Sequence, residues 1–377
     1  MKSQGRFQAF VLRLAILQLC LVLASCTVSV GSSAQSAATP QTLAPGLHAL
    51  GNRIVLSNGK GALTNIIYHG VNRSGAEYVC VQAAQGEGKH GTFDGPVDQA
   101  SVSAMLAWKI TIVRVPLNED CWLGLNGEPS NGETAQQYRQ DVINYVHLLR
   151  QNNLVVSLDL HWSAPGSDQA VKQLPMPDLD HTPAFWSSVA ATFKNDPFVV
   201  FDLYNEPYTM NWFCWQDGST FTNHRHCTDV GYAVAGMQTL VDTVRQAGAG
   251  NLIMLGGLAY ANDLWGWAQF KPRDPLNNLA ASFHIYPSNG CNSTDCLNNS
   301  IAQVASQYPL IAGEVGEFDC TGGFLNDILP WFDSHHIGYM AWAWTTYSCA
   351  NFPGLLNSYD GNPTGYGAAY KQHLSSL

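Results

Sequence analysis

Two glutamates are the residues of this sequence best suited to chemistry. Glu206 lies in Asn205-Glu206-Pro207, directly after the apolar run Phe198–Leu203, and Glu314 lies in Ala-Gly-Glu-Val-Gly at the end of another apolar run. Such runs predict strands buried on both faces, as in parallel sheets, and α/β proteins place their chemistry at the carboxyl ends of these strands. Taken alone, Asn-Glu-Pro could be a turn that contains an acidic residue without a function. Whether Glu206 is functional therefore depends on the other residues near the strand ends.

Further polar and aromatic side chains also stand at the ends of apolar runs. Each has an ordinary explanation by itself, such as a core histidine, a structural ion pair or aromatic packing. Taken with the glutamates, however, they fall on the active face of six different predicted strands. His284 and Tyr286 are two residues apart, so both point to the same side of their strand. The residues are Arg114, His161, His284, Tyr286, Trp342 and Trp344.

Eight apolar runs, separated by mostly helical stretches, would position these side chains. The segment Leu47–Leu63 precedes them and has the turn signals of a β-hairpin that could plug one end of a barrel. Eight strand-then-helix units without a break in composition predict an α/β fold, a single (β/α)8 TIM barrel over residues 46–377. The predicted strands are Ile66–Val71, Ile110–Pro116, Leu154–Leu160, Phe198–Leu203, Leu252–Leu258, Leu279–Ile285, Leu310–Val315 and Ile337–Trp344. The predicted helices are Val97–Trp108, Ala135–Gln151, Pro183–Phe193, Gly231–Ala247, Ile301–Gln307 and Gly323–His335, with the weakest connection between the fifth and sixth strands.

The N-terminal residues have the order of an export signal. Three basic residues precede an apolar run that ends in Leu-Ala-Ser-Cys26, which resembles the lipobox of bacterial lipoproteins. Residues 1–26 are therefore predicted to be a leader with a lipidation site at Cys26, although an ordinary secretory leader would also fit. Residues 27–45 have the composition of a flexible tether. We expect a cell-surface or periplasmic lipoprotein, or a secreted protein, with the membrane contacted only through Cys26.

Cysteine usage agrees with export to an oxidising compartment. Eight cysteines lie outside the leader, an even number that favours disulfides over a metal site. Chain proximity predicts the pairs Cys214–Cys227 and Cys291–Cys296. The pairing of Cys80, Cys121, Cys320 and Cys349 stays open.

Composition favours a neutral polar ligand. Removing the leader removes three positive charges and no negative ones, so the formal net charge moves from −10 to −13 and no basic patch for nucleic acid remains. Only 12% of the residues are charged, whereas glycine, asparagine, serine and aromatic residues are plentiful. We expect a monomer that needs no cofactor and binds no nucleic acid.

The chain resembles glycoside hydrolase family 5, a retaining (β/α)8 family that includes cellulases and mannanases, from about Leu47 onward. The family's ordered pattern occurs here: Arg on the second strand, His on the third, Asn-Glu-Pro on the fourth, His-x-Tyr on the sixth, Glu on the seventh and Trp on the eighth. The resemblance implies Glu206 as acid/base and Glu314 as nucleophile, with no metal. It also implies that the sugar is surrounded by Arg114, His161, Asn205, His284, Tyr286 and a tryptophan, Trp344 or Trp342.

A second glutamate, Glu317, follows Glu314 by three residues, and the family's usual Gly-Glu-Phe-Gly reads Gly-Glu-Val-Gly here. Residues three apart in an extended strand face opposite sides, so alternation favours Glu314 as the nucleophile. The same rule fails at the adjacent Asn205 and Glu206, where a bulge or a strand-to-loop turn is needed.

Aromatic residues near the predicted loops suggest an extended cleft, because flat aromatic faces stack on sugar rings. An endo-acting β-1,4-glucanase is the first interpretation, and a β-mannanase, a xyloglucanase or a transglycosylase would share the same residues. A metal-dependent barrel hydrolase is disfavoured because His224 and His226 lie in a loop, and a non-catalytic glycan-binding lipoprotein because both glutamates are present. The candidate subsite aromatics are Trp122, Trp162, Tyr208, Trp212, Trp215 and Trp265.

Overall fold

A computed structural model describes residues 43–82, 91–220 and 222–377. The predicted leader, the lipidation site at Cys26 and most of the predicted tether lie outside these residues. The described residues all belong to one compact unit. Among them, no helix has the length and apolar character needed to cross a bilayer.

The chain first forms a small antiparallel sheet of three strands, β1 (Gly46–Leu50), β2 (Arg53–Ser57) and β3 (Leu63–Ile66), in the order β1-β2-β3. The predicted hairpin is confirmed. Ile66, which was predicted to begin the first barrel strand, instead ends the third strand of this sheet. Leu47 and Ile54 pack with residues near the starts of the barrel strands, such as Ile112. The sheet therefore covers the amino end of the barrel, opposite the end at which active sites lie.

Eight parallel strands close into a barrel in the order β10-β11-β4-β5-β6-β7-β8-β9, which confirms the (β/α)8 prediction. Strand bounds differ from the predicted runs by a few residues at most ends. The barrel strands are β4 (His69–Asn72), β5 (Ile112–Asn118), β6 (Val155–Trp162), β7 (Val199–Asp202), β8 (Ile253–Gly256), β9 (Leu279–Ile285), β10 (Leu310–Val315) and β11 (Gly338–Ala341). A short pair, β12 (Leu356–Ser358) and β13 (Asn362–Pro363), follows.

Alternation along the strands separates the apolar core from the polar interior of the barrel's carboxyl end. In β5, Val113 and Val115 join the main core cluster, whereas Arg114 between them is buried on the other face and binds polar groups. In β6, Leu158 and Leu160 join the same core while Asp159 faces Arg114. The strand period of two thus places charged groups inside the barrel without interrupting the apolar layer beneath the helices.

Helices surround the barrel, and the longest begin and end close to the predicted bounds. Two regions differ. The helix before β8 begins at Met237 because Gly231–Gly236 is irregular, and a helix that the sequence did not predict, Gly365–Ser376, follows β11. The helices are α1 (Val79–Gln82), α2 (Gln99–Ala107), α3 (Glu119–Leu123), α4 (Ala135–Gln151), α5 (Thr182–Phe193), α6 (Trp212–Asp217), α7 (Met237–Gln246), α8 (Leu258–Ala261), α9 (Trp267–Phe270), α10 (Thr294–Cys296), α11 (Ala302–Ala305), α12 (Gly323–Ser334) and α13 (Gly365–Ser376), with a π-helical turn at Leu297–Ile301.

Four disulfides cross-link loops of the barrel. The two predicted pairs, Cys214–Cys227 and Cys291–Cys296, are confirmed. The pairs left open resolve as Cys80–Cys121 and Cys320–Cys349. The last of these joins the segment after β10 to the segment after β11 and so restrains the loops beside Glu314.

Candidate active site

The two glutamates predicted to carry the chemistry lie side by side at the carboxyl end of the barrel. Glu314 is in β10, and Glu206 follows the end of β7 by four residues. A carboxylate oxygen of Glu206 lies within 4.8 Å of one of Glu314. His284 Nδ1 lies 3.0 Å from Glu206 Oε1 and 3.6 Å from Glu314 Oε2. The two carboxyl groups are therefore close enough to act on opposite sides of a single bond.

Glu314 is held by two donors and is almost fully buried. Arg114 Nη1 donates to Oε1 at 2.9 Å, and the Tyr286 hydroxyl donates to Oε2 at 2.6 Å. Burial and the neighbouring Glu314 raise the pKa of Tyr286 well above its ordinary value, so its hydroxyl keeps the proton that it donates. These contacts occupy both carboxylate oxygens and fix the group in one orientation.

Glu206 has a different environment, although it lies next to Glu314. Its side chain keeps 21% of its surface exposed. Burial raises its pKa to about 7, and the positive charge of Arg114 opposes this shift. Burial also lowers the pKa of His284 to about 3, so the imidazole beside Glu206 is neutral. The two glutamates are thus differentiated by their surroundings, as an acid and a nucleophile must be.

Arg114 organises the floor of the site through five contacts. Besides Glu314, its guanidinium donates to Asp202 Oδ2, Asn72 Oδ1 and Asn205 Oδ1, each at 2.9 Å. It also lies 3.0 Å from Asp159 Oδ1. Asn72, Asp159 and Asp202 were not predicted as site residues. Asp159 could have been found, because it lies two residues before His161 and so shares its face of the strand.

Asn205 and His161 lie between Arg114 and the open cleft. Asn205 Nδ2 donates to Gln173 Oε1 at 3.0 Å and lies 3.4 Å from His161 Nε2, while Asp159 Oδ2 is 2.7 Å from His161 Nδ1. Because β7 ends at Asp202, Asn205 and Glu206 belong to the strand-to-loop turn. The turn lets adjacent residues face the same site. Gln173 lies in a long loop, where no periodic pattern marks it.

Glu317 is buried away from the Glu206–Glu314 pair. Its carboxylate accepts from the backbone N–H groups of Gly322 and of Leu325, the latter at 3.2 Å. These groups lie at the amino end of α12, where unpaired N–H groups bind carboxylates. The position agrees with the alternation argument, since Glu317 supports a helix rather than the cleft.

The tryptophans divide into core residues and cleft residues, and this corrects part of the sequence prediction. Trp344 is fully buried, packs against Trp108 and donates from Nε1 to Ser101, so the prediction that it contacts the sugar is wrong. Trp122 and Trp215 are also fully buried, and Trp212 packs on Trp215 and stacks on Phe270, which places all three in packing rather than at subsites. Core and cleft tryptophans have the same sequence signature, so only the fold separates them.

Trp342, which directly follows β11, is the tryptophan of this pair that faces the cleft. It stacks on His161 with ring centroids 5.2 Å apart and an interplanar angle of 15°. It lines an aromatic cavity with predicted Trp162 and with residues that the sequence did not single out. The cavity is lined by Ser74, Glu77, Tyr78, His161, Trp162, Trp342, Tyr347 and Phe352.

A second aromatic surface directly follows Glu206 in the chain. Tyr208, two residues after Glu206, stacks on Tyr260 with centroids 4.7 Å apart and an interplanar angle of 20°. Tyr260 is 48% exposed, and its N–H donates to Pro207 O at 3.0 Å. Its left-handed backbone (φ 62°) is rare for a residue with a side chain and presents the ring outward. Predicted Trp265 is 79% exposed on the same loop.

Two further clusters of acidic residues lie on the loops after β5 and β6, and both share His181. One contains Glu119 and the other Asp178, and the Thr182 hydroxyl lies within hydrogen-bonding distance of both carboxyl groups. These internal contacts account for the buried oxygens, so we assign no metal to either cluster.

Comparison with known proteins agrees with this geometry. The family model described as cellulase (glycosyl hydrolase family 5) matches residues 73–348. Among solved structures, the β-glucanase SdGluc5_26A of Saccharophagus degradans superposes with a TM-score of 0.63 at 20% identity, covering 89% of this chain and 94% of that one. The endo-β-1,4-glucanase Xac0029 of Xanthomonas axonopodis pv. citri gives 0.61 at 20% identity, covering 82% and 99%. At this identity the likeness establishes the fold alone.

Curated relatives are endoglucanases of moderate similarity. Endoglucanase 1 of Robillarda sp. is 25% identical over 199 residues, which are 46% of this chain and 46% of the relative. Endoglucanase C of Evansella cellulosilytica is 25% identical over 264 residues, 61% of this chain and 31% of the relative. The matched region therefore spans less than half the length of these relatives.

Proposed function

Because the chain belongs to glycosyl hydrolase family 5, we propose that it is a retaining β-glycoside hydrolase that cleaves β-1,4-glucan chains internally. The observation that carries the proposal is the short separation of the two carboxyl groups, with oxygens within 4.8 Å of each other. Retaining enzymes hold their carboxyl groups about 5–5.5 Å apart, whereas inverting enzymes need about 6.5–9.5 Å to admit a water molecule between them.

In the first step, Glu314 attacks the anomeric carbon while Glu206 protonates the departing glycosidic oxygen. The bond from the anomeric carbon to that oxygen breaks, and an ester between Glu314 and the sugar forms. Burial of Glu206 favours its protonated form near neutral pH, which supports the role of acid. Arg114 and Tyr286 hold the nucleophile in the orientation for attack. Their hydrogen bonds also stabilise the carboxylate of Glu314 when it is released in the second step.

In the second step, Glu206 takes a proton from water, which attacks the same carbon and releases Glu314. Two inversions give net retention of the β configuration. Asn205 lies between Arg114 and His161, where its amide is positioned to bind the sugar 2-hydroxyl, a contact that strengthens in the transition state. The five contacts of Arg114 preorganise these groups, so little reorganisation accompanies the reaction.

The substrate assignment rests on two aromatic surfaces near the glutamates. Trp342 lines a cavity with His161, and Tyr208 stacks with Tyr260 directly after Glu206 in the chain. Two separate aromatic surfaces offer stacking sites to several sugar units of a chain, which supports endo action. The names of the curated relatives and the neutral polar composition support a glucan. The ligand is thus a β-linked polysaccharide or its oligosaccharides.

The test is product configuration and substrate range. On an aryl β-cellobioside, proton NMR should show the β-anomer of cellobiose first, before mutarotation, and the α-anomer first would refute retention. Among β-glucan, mannan and xyloglucan, the viscosity of the β-1,4-glucan solution should fall fastest. Faster hydrolysis of mannan would instead identify mannan as the substrate. Sugar-to-sugar transfer as the main reaction would indicate a transglycosylase. Glu206→Gln and Glu314→Gln are the inactive controls.

Export and domain organisation are part of the proposal. Residues 1–26 act as the leader, 27–45 as the tether and 46–377 as the catalytic domain, and the four disulfides support maturation in an oxidising compartment. If Cys26 is lipidated, Cys26→Ala should release the protein from membranes with unchanged specific activity. Unchanged fractionation would refute the lipid anchor.

A further inference from the structure

Three carboxyl groups face one guanidinium in the interior of the barrel. Arg114 lies within 2.9–3.0 Å of Asp202, Glu314 and Asp159. Asp159, Asp202 and Arg114 are fully buried, and Glu314 is nearly so. Were all three carboxyl groups ionised, one positive charge would balance three negative ones in a region that excludes water. Buried charges without compensation are costly, so the cluster favours binding a proton.

Two oxygens of this cluster lack a hydrogen-bond donor among the described residues. They are Asp159 Oδ1 and Asp202 Oδ1. Asp159 Oδ1 lies near Arg114 Nη2 but without the alignment of a hydrogen bond. The two residues are register partners on the neighbouring strands β6 and β7, so their side chains leave the sheet side by side. A proton on one carboxyl group would provide a donor for the unpaired oxygen of the other.

Among the described residues, Asp202 is the carboxyl group of this cluster with the fewest donor groups within 3.0 Å. Glu314 accepts from Arg114 and Tyr286. Asp159 contacts Arg114 and lies 2.7 Å from His161 Nδ1, and burial lowers the pKa of His161, which leaves a neutral ring with one proton to donate. Within the part of the chain that the structure describes, Asp202 accepts from Arg114 Nε alone. Donors stabilise the ionised form, so the proton belongs on Asp202.

We propose that Asp202 is a neutral carboxylic acid below pH 7, that it shares its proton with Asp159, and that it acts as a positioning residue for Arg114. Oxygen Oδ2 of Asp202 accepts from Nε of Arg114 and so fixes the plane of the guanidinium, with Nη1 towards Glu314. Because Asp202 has no charge, it does not compete with Glu314 for the charge of Arg114. This role rests on the proposed glycosidase function, whereas the protonation state does not.

The charges around the pair agree with a shared proton. Burial raises the pKa of Asp202 to about 7, with Asp159 adding to the shift and Arg114 opposing it. Burial likewise raises the pKa of Asp159 to about 7, opposed by Arg114 and increased by Glu206, and His161 is its other titratable neighbour. Two interacting carboxyl groups titrate as a unit, so the first proton leaves the pair at lower pH than the second.

Activity tests the positioning role. Asp202→Asn keeps the oxygen that accepts from Arg114 and has no charge, so kcat/KM at pH 6 should stay within about threefold of wild type. Asp202→Leu removes the acceptor and should lower kcat by about 100-fold or more, with KM changed far less. Asp159→Asn should lower kcat/KM more than Asp202→Asn does, because it also disturbs the contact with His161. If Asp202→Asn abolished activity while remaining folded, a neutral Asp202 would be refuted.

Stability and infrared spectra test the protonation state without relying on activity. An Asp202 pKa raised from 3.8 to about 7 contributes stability that is present below pH 3.8 and is lost as pH rises through 7. The Tm of wild type minus that of Asp202→Asn should therefore fall between pH 4 and pH 7. At pH 6 the wild type should also show the carbonyl band of a protonated carboxyl group that Asp202→Asn lacks. Parallel Tm curves and identical infrared bands would overturn the proposal.

Discussion

Replacing Tyr260 by alanine should weaken binding on the side of the cleft where the leaving group departs. Glu206 protonates the departing oxygen in the proposed mechanism, and Tyr208, two residues later in the chain, stacks on Tyr260 with centroids 4.7 Å apart. The pair is tied to the acid/base through the bond from Tyr260 N–H to Pro207 O. The stacked rings therefore offer a flat surface to the glucosyl units beyond the bond that is cleaved.

The expected loss in kcat/KM is estimated from the stacking of one sugar ring on one aromatic face. Tyr260 is half exposed in the described structure, so the ring has a free surface for a sugar, and aromatic stacking is worth about 0.5–1.5 kcal/mol beyond area burial. At about 1.4 kcal/mol per factor of ten, Tyr260→Ala should lower kcat/KM for cellopentaose by about two- to tenfold. Because Tyr260 packs against Tyr208, its removal also loosens Tyr208, which moves the expectation towards the larger value.

The assay compares a substrate that has sugar units beyond the cleaved bond with one that has none. Fluoride, the leaving group of β-cellobiosyl fluoride, fills no sugar site on that side, so the ratio of kcat/KM for cellopentaose to that for the fluoride should fall by up to about tenfold. Tyr260→Phe keeps the ring and is the matched control. An unchanged ratio in Tyr260→Ala, or equal losses on both substrates, would refute the assignment of this surface to the leaving group.

Three further predictions concern acidity, the cavity and the disulfide beside it. Since burial raises the pKa of Glu206 to about 7 and the first step needs its proton, kcat/KM should fall as pH rises above 7, and a flat profile to pH 9 would contradict this role. Trp342→Ala should raise KM because Trp342 lines the cavity beside His161, whereas Trp344→Ala should destabilise the fold by about 3–5 kcal/mol, as measured by denaturant unfolding. Replacing Cys320 and Cys349 together by serine should lower stability by about 2–4 kcal/mol and raise KM, and an unchanged KM would show that the disulfide does not shape the cleft.

The barrel was predictable because its signals are local and repeated. Eight apolar runs marked eight strands, and four of the helices have nearly the predicted bounds. The differences arise where tertiary contacts override local pattern. Ile66 has the composition of a barrel residue but pairs with Ile54 in the N-terminal sheet. The helix Gly365–Ser376 has a weak apolar stripe, and it is fixed by contacts such as the bond from Tyr370 to Gly70 O.

The site was partly predictable because strand alternation constrains it. Alternation indicated Glu314 rather than Glu317, and the structure places Glu317 at the start of α12. It could not distinguish Trp342 from Trp344, which share a face in an ideal strand. The backbone leaves β11 at Ala341, so regular alternation no longer applies to these residues. Tyr260 and Gln173 lie in loops, where the sequence has no periodic signal.

The central claim, that Glu314 attacks and Glu206 acts as acid and base, is tested most directly by azide rescue with an activated aryl β-glycoside. Glu314→Gly opens a space from which azide can attack, and the product should be an α-glycosyl azide. In Glu206→Gly the first step survives with a good leaving group, and azide should replace the base-activated water to give the β-azide. An α-azide from Glu317→Gly rather than from Glu314→Gly would contradict the assignment of Glu314 as the nucleophile.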